Sequence, residues 1–195
     1  MKLICIGDSL TTGYGVFRNE RWTEILKDKY GFDVVNNGVN GDTTAGMLDR
    51  FHDDVVMSGA ARVIIMGGCN DLIASRELKS VEENIRLMAE EAANNGITAM
   101  LATEPPVIPD MAKRKWSWDA DYDYAMENGK LLREWLLSYC EEKDIICIDL
   151  YGLFEERLKS RRANELYIDG LHPRKLGHEL MAEKIARALR GYVLP

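Results

Sequence analysis

Three histidines, His52, His172 and His178, are the imidazoles available to this chain for proton exchange near neutral pH. His172 lies in Asp169-Gly170-Leu171-His172-Pro173. Gly170 allows a sharp turn, so Asp169 can reach one nitrogen of the His172 ring and fix its tautomer. The other nitrogen is then free to take a proton from a hydroxyl. Pro173 biases His172 toward an extended backbone and suits a first helical turn. Ser9, in Gly7-Asp8-Ser9-Leu10, follows the apolar run Leu3–Ile6. A serine hydroxyl is a poor nucleophile until a base takes its proton, and His172 is the candidate base. Taken singly, each stretch has a plainer account: Asp-Ser as a helix cap, Asp-Gly as a turn.

Acyl transfer also needs fixed donors where negative charge develops. Two further stretches supply them. Gly41, in Asn40-Gly41-Asp42-Thr43-Thr44, has no side chain to keep a ligand from its backbone N–H. Asn70, in Gly68-Cys69-Asn70-Asp71, offers a side-chain amide. The N–H of Ser9 itself is the third donor. Each stretch alone reads as a turn, but all of them follow successive apolar runs.

Those runs are the elements that must position the site. Leu3–Ile6, Val34–Val35, Val63–Met66, Ile97–Ala102 and Ile145–Ile148 read as five strands, nearly continuous in apolar residues, as in a sheet covered on both faces. Helical periodicity separates them: Val81, Ile85, Met88 and Ala92; Leu132, Trp135, Leu136 and Tyr139; Met181, Ile185 and Ala188 or Leu189. Asn95-Gly96 reads as a helix C-cap. Strand–helix alternation predicts a parallel sheet with helices on both faces. Its ligand site lies beyond the carboxyl ends of the strands, where Ser9, Gly41 and Asn70 fall.

The 195 residues carry 25 Lys and Arg against 32 Asp and Glu, a net charge of −7. An acidic surface of this kind disfavours nucleic acid as a partner. The length suits a single domain over residues 1–195, and no apolar run is long enough for a membrane span. The first residues hold four apolar positions before Gly7-Asp8, too few for a signal-peptide core, which predicts a cytoplasmic protein. Cys5, Cys69, Cys140 and Cys147 form no metal-binding spacing and read as buried thiols. His52 reads as a solvated helix residue and His178 as packed on the last helix. Asp8 and Asp71 read as braces of their own turns, and Asp149 as a rival partner for His172. Glu104 to Asp121, with three prolines, Lys113-Arg114-Lys115, Trp116 and Trp118, is long for a connection. It reads as a lid or substrate loop, or as a surface excursion. Its tryptophans would line an acyl or aryl pocket and its basic triplet would meet an anionic group.

The four stretches in order, Gly-Asp-Ser-Leu at 7–10, Gly41, Gly-Cys-Asn-Asp at 68–71 and Asp-Gly-Leu-His at 169–172, resemble the SGNH hydrolases, or GDSL esterases and lipases, across nearly the whole chain. The Gly-Tyr-Gly after the first block is similar to the bacterial arylesterase, thioesterase and lysophospholipase branch. The resemblance implies a flavodoxin-like three-layer α/β/α sandwich around a five-stranded parallel sheet. It implies ester or thioester hydrolysis without a metal or other cofactor. It assigns Ser9 as nucleophile, His172 as base and Asp169 as its orienter. Ser9, Gly41 and Asn70 become the oxyanion donors, and Cys69 a bystander. A carbohydrate O-acetylesterase or an acyltransferase would use the same site. The absence of a GxxxxGK or complete GxGxxG pattern argues against a flavodoxin-like binding protein. Oligomeric state stays open.

Overall fold

The computed structural model describes residues 1–117 and 120–191. The chain opens with strand β1 (Lys2–Gly7), a single helical turn α1 (Ser9–Thr12), and α2 (Trp22–Asp28). Strand β2 (Asp33–Gly38) follows, then the short helices α3 (Thr44–Asp49) and α4 (Phe51–Asp54). Strand β3 (Arg62–Met66) leads into α5 (Cys69–Ile73) and the long α6 (Leu78–Asn94). After β4 (Thr98–Ala102) come α7 (Pro109–Lys115) and α8 (Tyr122–Lys143). Strand β5 (Ile146–Ile148) precedes α9 (Leu150–Leu158), α10 (Ala163–Leu166) and α11 (Lys175–Gly191).

All strand pairs are parallel, in the order β2-β1-β3-β4-β5. Alternation along the strands divides the core in two. Ile4, Ile6, Val63 and Ile65 pack with α6 and α8 through residues such as Ile85, Met88 and Leu136. Leu3, Cys5, Ile64 and Met66 pack on the other face with α2, α9 and α11 through Trp22, Phe154 and Ile185. Each fully buried aliphatic or aromatic side chain removes about 1.5–3 kcal/mol of unfavourable hydration. Those two layers hold the strand ends rigid. The expected helix periodicities fall on α6, α8 and α11, and Gly96 follows α6 with φ +70°.

Strand β2 runs past the two valines expected of it. Asn36 continues it because its side-chain amide donates to the Thr11 carbonyl (2.7 Å) and to Thr23 Oγ1 (2.9 Å). On this edge strand, hydrogen bonding to α1 and α2 takes the place of apolar burial. Segment 104–121 is not a structureless loop, since it contains α7. The Ile108 N–H donates to the Gly170 carbonyl (2.9 Å), and the buried Tyr167 hydroxyl donates to the Pro106 carbonyl (2.8 Å).

The order places the switch point between β1 and β3, whose chains leave toward opposite sides of the sheet. Gly7 pairs with Gly38 on one side and Met66 on the other. The loops after these three strands therefore emerge level with one another.

Candidate active site

Asp8 caps the single turn α1, taking the Leu10 N–H on Oδ1 at 2.8 Å. Ser9, the first residue of that turn, is nearly buried, with its Oγ 2.9 Å from His172 Nε2. The pair is 163 residues apart in sequence. His172 sits in a tight loop closed by the Tyr167–Pro173 bridge and by the Ile168 N–H donating to its carbonyl (2.8 Å). Gly170 turns at φ +92°, where a Cβ would stand 2.6 Å from the Ile108 carbonyl oxygen. Pro173 belongs to this bridge, whereas the helical turn expected of it begins two residues later at Lys175.

Asp169 closes the relay. Its Oδ2 lies 2.8 Å from His172 Nδ1, while Oδ1 accepts the backbone N–H groups of His172 (2.8 Å) and Leu171 (3.0 Å). Burial pushes the Asp169 carboxyl up, but these bonds outweigh it and hold the group below the ordinary carboxylate range. An ionised Asp169 keeps the proton on Nδ1 and leaves Nε2 as the acceptor for Ser9. Asp149 is engaged elsewhere: Arg133 grips it through Nε (2.9 Å) and Nη2 (2.8 Å), and it caps α9 at Gly152.

Gly41 turns at φ +77° with nothing within 4 Å of where a Cβ would be, and it lines the cleft. Asn70, in the first turn of α5, donates from Nδ2 to Asp8 Oδ2 and to the Asp42 carbonyl, each at 2.8 Å. Both hydrogens of that amide are thus engaged, and an oxyanion would have to share one of them. Ser9, Gly41, Asn70 and His172 line one cleft of about 510 Å³. The mutual positions are enforced from behind. Arg50 Nε donates to Asp42 Oδ2 (2.9 Å), its Nη2 donates to the Gly7 carbonyl (3.1 Å), and the same side chain pairs with Asp54. Asp71 also reaches beyond its own loop. It crosses to α3, accepting the Thr44 N–H (2.8 Å) and hydroxyl (3.1 Å).

Three contributors were not singled out from residue types and spacing. Arg50 is one. Tyr14 is another: its ring centroid lies 4.5 Å from that of His172. Its place in Gly-Tyr-Gly marks a turn but says nothing of the ring it meets. Glu104 is the third, accepting the Cys69 N–H at 2.6 Å. Trp116 stands at the cleft mouth, 5.6 Å from His172 and 6.0 Å from Tyr14 between ring centroids. Trp118 lies outside the described residues.

Lys113, Arg114 and Lys115 are exposed on α7, Lys113 pairs with Asp123, and none of the three lines the cleft. The anionic-substrate role expected of them has no support in their placement. Cys69 lines the cleft, but burial and the nearby Glu104, Asp8 and Asp71 push its thiol well up, which keeps it protonated and unreactive. Cys5 and Cys140 are buried, while Cys69 and Cys147 are only half-buried. His52 is exposed against Glu91, and His178 is fully buried, with Nδ1 near the Trp22 N–H at 3.4 Å.

Comparison with known proteins adds to this geometry. Residues 5–180 match the GDSL-like lipase/acylhydrolase family. Esterase TesA of Pseudomonas aeruginosa is 29% identical over 104 residues, 51% of this chain and 52% of that protein. The match therefore spans only about half of that relative. An acetylxylan esterase of Geobacillus stearothermophilus is 25% identical over 96% of this chain and 93% of its own. Among solved structures, a member of the lipolytic protein G-D-S-L family from Veillonella parvula superposes with a TM-score of 0.82. It is 26% identical over 98% of both chains.

Proposed function

The chain belongs to the GDSL-like lipase/acylhydrolase family, and on that footing we propose that it is a serine hydrolase of carboxylic esters or thioesters with small to medium acyl groups. The observation that carries this reading is the relay from Ser9 Oγ through His172 to Asp169, with contacts of 2.9 and 2.8 Å. Ser9 Oγ attacks the carbonyl carbon as His172 Nε2 takes its proton. Charge on the former carbonyl oxygen is met by the N–H groups of Ser9 and Gly41 and by the Asn70 amide, which shares a hydrogen now given to Asp8 or Asp42. His172 then protonates the leaving alcohol or thiol, and the acyl group stays on Ser9. Water repeats the sequence and frees the acid. Asp169 keeps the imidazole in the tautomer that this cycle needs.

The cleft supports a neutral substrate. No Lys or Arg lines it among the described residues, while Tyr14, Trp116, Leu171 and Ile73 do. An acetylated carbohydrate is a second reading: aromatic rings such as Tyr14 and Trp116 stack on sugar faces, and one relative is named as an acetylxylan esterase. Both readings are tested by a ladder of p-nitrophenyl esters, acetate upward, run beside an acetylated xylo-oligosaccharide with wild type and Ser9→Ala. Wild-type turnover that falls by about 10³-fold or more in Ser9→Ala is expected. Equal turnover by the two proteins would end the assignment of Ser9.

A further inference from the structure

Behind Asn70 lies a pair of acidic groups that the reaction above does not use. Asp8 is buried, accepting Leu10 N–H on one oxygen and Asn70 Nδ2 on the other. Glu104 follows β4 and reaches beneath α5. The residue is half-buried, but its Oε1 is out of contact with solvent and has no donor among the described residues. Its Oε2 accepts the Cys69 N–H at 2.6 Å, at the first residue of α5. The Glu104 and Asp8 carboxyl groups are themselves within hydrogen-bonding reach.

Two carboxyl groups in such contact, away from water, hold one proton between them, because two adjacent buried charges repel strongly. The donors decide which group is ionised. Asp8 receives two N–H bonds and Glu104 receives one, so the charge belongs on Asp8 and the proton on Glu104. The surroundings favour the same split. Asp42 and Asp71 add negative charge around the pair, and His172, which becomes positive only when it takes the Ser9 proton, faces Asp8. Arg133, which lines the small cavity beneath Glu104, is committed to Asp149. Burial raises the Glu104 carboxyl well above its ordinary range and Asp8 to about 6, in keeping with a neutral Glu104 near pH 7.

We propose that Glu104 is a positioning residue that works as a neutral carboxylic acid. Its O–H donates to Asp8 and its other oxygen holds the Cys69 N–H, which ties the helix carrying Asn70 to the turn carrying Ser9. The shared proton also limits the charge behind the oxyanion donors to one unit. Ionising Glu104 would set a second negative charge beside an oxygen that is itself becoming negative.

This inference rests on the roles given above to Ser9 and Asn70, and its test separates the two. Glu104→Gln keeps a neutral donor and an acceptor in the same shape, whereas Glu104→Ala removes both. On p-nitrophenyl acetate, Glu104→Gln is expected to keep kcat within about threefold at pH 7. Wild type is expected to show an alkaline fall in kcat as Glu104 ionises, and Glu104→Gln should lose it. Glu104→Ala should lower kcat roughly tenfold or more, short of the ~10²–10³ for loss of an oxyanion donor, with KM little changed. An infrared difference spectrum, wild type minus Glu104→Gln at pH 7, should contain the carbonyl band of a protonated carboxylic acid. That band reports the proton whether or not the protein hydrolyses esters. Its absence would overturn the proposal, as would a Glu104→Gln protein as impaired as Glu104→Ala, or Glu104→Ala with wild-type kcat.

Discussion

Asp169 and Asp149 both stand close to where a partner for His172 is needed in sequence, and hydrogen bonding separates them. Asp169 holds both His172 Nδ1 and the backbone of its own loop, while Asp149 is spent on Arg133 and Gly152. Replacing Asp169 by Asn would put an amide donor or a wrong tautomer opposite Nδ1. Asp169→Asn is expected to lower kcat by roughly 10³–10⁴. Asp149→Asn should leave kcat within a few-fold and reduce Tm through the weakened Arg133 pair; steady-state kinetics with a thermal melt on both variants decides this, and the reverse pattern would make Asp149 the partner. The Asp169-His172 contact was legible because three residues of spacing almost enforce proximity. Glu104 was not, because its burial depends on how β4 stacks beside β3, and in sequence it merely begins a proline-rich stretch.

At the scale of elements, the segment after β4 contributes Trp116, Ser117 and Ala120 to the wall of the cleft. Its first half is anchored by Ile108 to Gly170 and by Pro106 to Tyr167, and α7 delivers Trp116 to the mouth beside Tyr14. That indole is exposed and lines the cleft, where a bound aryl or acyl group would meet it. An aromatic contact of this kind is worth about 1 kcal/mol, so Trp116→Ala should raise KM for an aryl ester about fivefold and leave kcat nearly unchanged. A large fall in kcat with KM unmoved would instead place Trp116 in support of His172. The long helices were readable from their 3.6-residue period. The four- to six-residue helices α1, α3, α4 and α5, which carry or flank the site, were not, because a single turn shows no period and is held by its caps and tertiary contacts.

In the whole molecule, five apolar runs announce five strands, but periodicity carries no information about which strands are neighbours. The observed order sets β1 between β2 and β3, and their level carboxyl ends gather Ser9, Gly41 and Asn70 at one edge of the sheet. The same packing encloses His178 between α11 and α2, where burial pushes its imidazole down to about 4. The unfolded chain takes up that proton near pH 6.5, and the folded chain does not until about pH 4. The unfolded state therefore binds more protons in this window. Stability from neutral His178 is complete above pH 6.5 and is lost as pH falls toward 4. Chemical denaturation of wild type and His178→Gln at several pH values should show a stability gap that narrows from pH 7 to 4.5. A constant gap would mean that His178 titrates alike in both states. No helix among the described residues is long and apolar enough to cross a membrane.

The most direct measurement on the central claim is intact-protein and peptide mass spectrometry after incubation with a fluorophosphonate. A serine activated by the 2.9 Å contact to His172 should take up one phosphonyl group per chain, mapped to Ser9 and abolished in His172→Ala. An unlabelled wild-type protein, or an adduct that maps to another residue, would contradict the account.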